Sequence, residues 1–163
     1  MLGENEIILD IEADGFIFES TKIWTVCATN IQSGEKIKVN PFKDTTAKDQ
    51  LISFIFKKPN PTVGFHFGLG YDMFVLQNLL DIKFTVGKDT IEGKPCQFVD
   101  TLYLSMFLNP DRSGHSVEAF GEILGLPKID WREKAIELGL IEKDSPKGAE
   151  FMQWHPEMDV YCD

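Results

Sequence analysis

The chain has 163 residues, 43% hydrophobic and 26% charged, enough length for one compact α/β unit with a real core. Its formal net charge of −10 argues against a long basic grip on nucleic acid; it points to bound cations that neutralise the carboxylates, to a basic neighbour, or to no nucleic acid at all. Apolar runs such as residues 54–56 are far too short to cross a bilayer, and the first residues carry no secretory pattern. Cys27, Cys96 and Cys162 are odd in number and lack metal-motif spacing, which fits a reducing cytoplasm and places Cys27 in the core.

In chain order, residues 6–11 predict a first strand and residues 22–31 a second. After a turn at Ser33-Gly34, residues 35–39 predict a third, the three forming an antiparallel meander. Thr46-Ala47-Lys48-Asp49 resembles a capping box and opens a helix to about residue 57, with Leu51, Ile52, Phe54 and Ile55 as its apolar face. Pro59 and Pro61 end it. A short buried strand at 62–67 leads through a glycine-containing turn to a helix at 71–80, then to a hairpin-like stretch around Gly87 and Gly93. A strand at 96–99, a helix at 100–107 and a Ser116-capped helix at 116–124 follow. Asp144 caps a further turn, and a last helix begins near Pro156. This order predicts one α/β domain over residues 1–163, with a mixed sheet and helices on both sides.

Asp10 and Glu12 stand two apart on the first strand, so they share a face while Ile7, Leu9 and Ile11 line the other. Two like charges so placed raise each other's pKa unless a cation lies between them, and Mg²⁺ or Mn²⁺ favours such oxygen donors. A solvated strand end explains the pair equally well. Asp72 follows Gly68-Leu69-Gly70-Tyr71 at the start of a helix, where capping alone would account for it. Glu157, Asp159 and Asp163 read by themselves as an acidic chain end. His66, His115 and His155 lack metal-motif spacing, and His66 has a structural reading as well as a functional one.

Taken in order, Asp10-Ile11-Glu12, Phe65-His66 through Tyr71-Asp72, Asp100-Thr101-Leu102, residues 114–121 and Met158-Asp159-Val160-Tyr161 resemble a known pattern. It is the N-terminal 3′–5′ proofreading exonuclease domain of bacteriophage family A DNA polymerases, of the DEDD superfamily. The resemblance implies an RNase H-like fold and hydrolysis of single-stranded DNA 3′ ends with two divalent cations, Mg²⁺ or Mn²⁺. It implies metal ligation by Asp10, Glu12 and Asp72, and a catalytic role for these three with Tyr161, whose hydroxyl would orient the attacking water. Phe16 and His66 would contact substrate, Phe16 against the terminal base. A DNA polymerase domain or subunit would be the partner, in the cytoplasm of an infected bacterial cell, with no membrane. The chain departs from the pattern in two places. The family's final aspartate would fall two positions beyond Asp163, so the domain is expected to be truncated before its third motif closes. Phe67 stands where close relatives often carry asparagine. The alternatives are a catalytically incomplete remnant serving as a binding module, and a ribonuclease of the same fold.

Overall fold

The computed structural model describes residues 5–162. Strands β1 (Glu6–Ala13), β2 (Ile23–Asn30) and β3 (Lys36–Val39) form the expected meander, followed by helix α1 (Ala47–Ile55), strand β4 (Thr62–Phe65) and helix α2 (Asp72–Leu80). The hairpin-like stretch resolves into three two-residue strands, β5 (Phe84–Thr85), β6 (Thr90–Ile91) and β7 (Lys94–Pro95), which form a small sheet of their own. Strand β8 (Gln97–Asp100) then runs into helix α3 (Thr101–Leu108), followed by α4 (Val117–Leu124), α5 (Trp131–Glu137) and α6 (Met158–Tyr161).

The main sheet has the order β3-β2-β1-β4-β8, with β1 central. β1 pairs antiparallel with β2 and parallel with β4, and β4 pairs parallel with β8. The alternation read from the sequence holds: Ile7, Leu9 and Ile11 are buried in a cluster with Leu51, Ile55, Val63 and Leu76, whereas Ile8 and Asp10 are exposed. β4 pairs with β1 only from Glu6 to Ile8, so β1 projects past its parallel neighbour as it reaches Asp10 and Glu12. The C-terminal ends of parallel strands are where open α/β sheets place ligands.

A second, smaller cluster joins Trp24 of β2 to Trp131, Ala135 and Met158, with Phe151, Trp154 and Tyr161 packed against it. Indole N–H groups pin it: Trp24 donates to the Phe151 carbonyl (2.7 Å) and Trp131 to the Glu150 carbonyl (2.7 Å). This cluster carries the last helix to the sheet. By contrast, α3 buries no residue and α4 only Gly121, leaving Phe107, Ile123 and Leu124 exposed.

Several expectations need correction. Thr46 makes no side-chain cap on α1: its amide and hydroxyl donate to Asp44, at 2.8 and 2.7 Å, and its hydroxyl oxygen accepts from the Gln50 side chain (2.7 Å) rather than from a helix amide. The strand expected over 62–67 stops at Phe65, since Phe67 turns into the left-handed region (φ 69°). Helix α5 was not anticipated, although Asp130 caps it by accepting from the Glu133 amide at 3.0 Å. Ser116 does cap α4, through the Ala119 amide (3.1 Å).

Candidate active site

Asp10 and Glu12 are brought together on one face of β1. Their carboxylates and the Cys162 sulfur lie within 4.8 Å of one another. Asp10 reaches solvent yet is surrounded by protein; this burial raises its pKa, and the Lys128 charge partly counters it. Glu12 is buried, and its pKa rises well above the usual carboxylate range through burial first and then the neighbouring Asp10 charge.

Asp72 is the first residue of α2 and is only 4% exposed. It makes no side-chain cap on that helix: the N-cap is Tyr71, whose hydroxyl instead donates to the Gly15 carbonyl at 2.7 Å. Burial, followed by the charge of Asp10, pushes the Asp72 carboxyl up to about 8; its own amide and that of Ile11 offset this only in part. Asp72 lies outside the 4.8 Å group, but all three carboxylates feel one another: Asp72 raises Glu12, and Asp10 raises both. Against these three carboxylates the charge of Lys128 acts on Asp10 and Glu12 and offsets their burial only in part.

Tyr161 reaches this cluster from the far end of the chain. Its ring packs against Trp131 (centroids 6.0 Å) and Phe151 (6.3 Å). Burial raises its pKa, so the phenol is protonated at neutral pH. The Lys128 ammonium lies 4.4 Å from the Tyr161 ring centroid, acts electrostatically on its hydroxyl, and sits in the field of Glu12 and Asp10. Lys128 belongs to no motif; the loop between α4 and α5 delivers it, and no local pattern announces a loop lysine.

Cys162, one residue on, is buried with its thiol 3.9 Å from Asp10 Oδ2 and beside Cys27. Its neighbours and burial hold it firmly protonated. Cys27 is core, as expected, and faces Asp10 in the β1–β2 register. Glu157 is exposed, Asp159 stays outside the cluster with its Oδ1 unpartnered, and Asp163 lies outside the described residues.

Asp100 organises the second wall. Its buried carboxylate accepts from the amides of Phe67 and Leu69, each at 3.0 Å, and from those of Leu102 and Tyr103 at the start of α3. Next to it, Thr101 donates its single hydroxyl proton to the Phe65 carbonyl (2.9 Å). The 3.0 Å contact between Thr101 Oγ1 and His66 Nδ1 therefore requires the ring nitrogen to donate, which leaves Nε2 as an acceptor. Burial lowers the His66 pKa, so the ring is neutral at pH 7.

Two adjoining cavities flank the carboxylates. One, of about 820 Å³, is walled by His66, Lys128, Lys147 and Tyr161 among others. The second, of about 370 Å³, is mostly apolar and has Glu12, Phe16, Phe67, Tyr71 and Phe151 in its wall. Phe16 is 66% exposed on a loop that Asp14 fastens by accepting from Thr21 and Lys22.

The architecture recurs in known nucleases. The chain is similar in structure to Brucella melitensis NrnC bound to pGG, a match that covers 97% of this chain with a TM-score of 0.58 and 17% identity. The fold is RNase H-like. NrnC with bound Mg²⁺ matches at a TM-score of 0.50 and 15% identity, over 97% of this chain, and the catalytic core of Trypanosoma brucei RRP6 at 0.57 and 16% over 98% of it. The chain spans 64% of either NrnC chain and 36% of the RRP6 core. The sequence matches no family model, and no curated protein matches it. Among the described residues no helix is long and apolar enough to cross a membrane.

Proposed function

We propose that this chain is a divalent-metal-dependent 3′–5′ exonuclease domain that hydrolyses single-stranded DNA ends. The observation that carries the reading is the set of carboxylates Asp10, Glu12 and Asp72: burial first, and then the Asp10 charge, push Asp72 up to about 8, with the Tyr161 hydroxyl alongside. The likeness of fold to NrnC, one structure of which holds Mg²⁺ and another pGG, supports it.

The donors fit hard cations, because they are carboxylate oxygens whose charge the single ammonium of Lys128 balances only in part. Two such ions, Mg²⁺ or Mn²⁺, would be held by Asp10, Glu12 and Asp72, and when bound they stabilise charge on a leaving 3′ oxygen and make water more acidic. Tyr161, being protonated, is a positioner: its hydroxyl orients the attacking water, and Lys128 fixes that hydroxyl. His66 offers Nε2 as an acceptor to substrate, and Phe16 lies against the terminal base. The order of motifs supports a proofreading domain, 1–163, of a phage polymerase. A polymerase partner would then supply the basic surface that a chain of net charge −10 lacks.

One observation favours a second reading, a binding module of the same fold. The third close ligand atom beside Asp10 and Glu12 is a protonated thiol rather than a carboxylate. The test is 5′-labelled single-stranded DNA with Mn²⁺. Exonuclease action shortens it nucleotide by nucleotide from the 3′ end, and Asp10→Ala/Glu12→Ala abolishes the ladder. Equal, negligible release by both proteins rejects the first reading and leaves the second.

A further inference from the structure

Phe67 is the one bulky residue at this site that pays a conformational cost to be there. Its φ of 69° lies in the left-handed region, where a large side chain is a genuine outlier. Asn, Asp and Gly adopt that region readily; phenylalanine does not. Two backbone anchors impose it: the Phe67 amide donates to Asp100 Oδ1 at 3.0 Å, and its carbonyl accepts from the Gly70 amide at 3.0 Å.

The strained backbone does not serve to bury the ring. Phe67 is 43% exposed and is no member of the main core. Its ring lies on the bare backbone of Gly70, where a Cβ would meet Phe67 Cε2 at 2.4 Å, and is flanked by Tyr103 at 6.2 Å between centroids. It shares the wall of the 370 Å³ cavity with Phe16, and Glu12 of the carboxylate cluster borders the same space. An exposed aromatic, fixed in place at a conformational penalty beside reactive carboxylates, is a feature that folding alone does not reward.

We infer that Phe67 is a stacking platform for the 3′-terminal nucleobase, forming with Phe16 the two walls of one slot. This rests on the exonuclease reading and deepens it. The slot takes any base, because every base presents a π-face and no hydrogen-bonding edge is matched by this apolar wall. It places the last nucleotide with its sugar toward Glu12. The positive φ and the glycine seat are then what hold the platform still.

The test compares 5′-labelled oligonucleotides that differ only in the 3′-terminal unit, a normal nucleotide or a stable abasic residue. Binding is read by fluorescence anisotropy in Ca²⁺, and hydrolysis separately in Mn²⁺. The wild type binds the base-bearing end about five- to a hundredfold more tightly than the abasic end, the range of one base–aromatic stack. F67N loses most of that preference, keeping only what Phe16 supplies, while binding the abasic oligonucleotide as the wild type does, and F67Y retains it in full. F67N also melts at a higher temperature, because asparagine relieves the strained backbone. A base preference undiminished in F67N, or absent from the wild type, overturns the inference. Absence of hydrolysis by a wild type that still shows the Phe67-dependent preference rejects the exonuclease reading and leaves the stacking platform standing.

Discussion

Replacing Asp72 by asparagine should stabilise the protein at pH 8 when no divalent cation is present. The Asp72 carboxyl rises from its ordinary 3.8 to about 8 in the fold, so the folded state holds a proton that the unfolded state has released. Folding stability is then complete below the unfolded pKa and falls as pH climbs through the folded one. At about 1.4 kcal/mol per pH unit, the wild type forfeits up to roughly 4 kcal/mol between pH 5 and pH 8, a ceiling that hydration of the cleft lowers. Asparagine cannot ionise and keeps an oxygen to accept from Ile11, so D72N escapes the loss. In thermal melts in EDTA, the D72N advantage should widen from pH 5 to pH 8 by about 5–15 °C, since 1 kcal/mol moves a domain of this size by about 2–4 °C. Added Mn²⁺ should reverse the order at pH 8, raising the wild type by about 2.7 kcal/mol at a hundredfold excess over Kd while D72N responds weakly. A gap that stays constant with pH, or closes toward pH 8, would refute the claim that burial and the Asp10 charge hold the Asp72 carboxyl protonated in the fold.

Y161F keeps the ring contacts with Trp131 and Phe151, so urea unfolding should place it within about 1.5 kcal/mol of the wild type, while kcat falls with little change in KM. K128M removes an exposed cation, so stability should shift by under about 1 kcal/mol, yet the hydrolysis rate should drop about tenfold or more because the Tyr161 hydroxyl loses its charged partner. An unchanged rate would remove Lys128 from the site. D100A frees four backbone amides from one buried carboxylate and should cost roughly 3 kcal/mol in chemical denaturation, with hydrogen exchange rising first at residues 67–69 and 102–103.

The period-two alternation of β1 was legible because it is a local rule: Ile7, Leu9 and Ile11 had to share a face, and Asp10 with Glu12 the other. The meander was legible for the same reason. Where side chains compete for the capping group, local reading failed, as at Thr46, whose hydroxyl donates to Asp44 and accepts from the Gln50 side chain in place of a helix amide. Phe67 was read as strand because apolar residues precede it; its left-handed turn depends on Asp100, which is distant in sequence. The company kept by Asp10 was legible only in part. Tyr161 could be placed by motif order, but Lys128 and Cys162 arrive through the packing of Trp24, Trp131 and Met158, a long-range agreement that no short pattern records. Asp130 three residues before Glu133 was a readable signal for α5.

The account stands or falls on the carboxylate cluster being a cation site that carries protons until the cation arrives. Mn²⁺ titration by calorimetry at pH 7, repeated in buffers of different ionisation enthalpy, measures this directly. The account predicts binding with release of about one proton, because Asp72 must ionise to coordinate, and no such heat from Asp10→Ala/Glu12→Ala. Mn²⁺ binding that releases no protons, or that persists undiminished in the double variant, would contradict it.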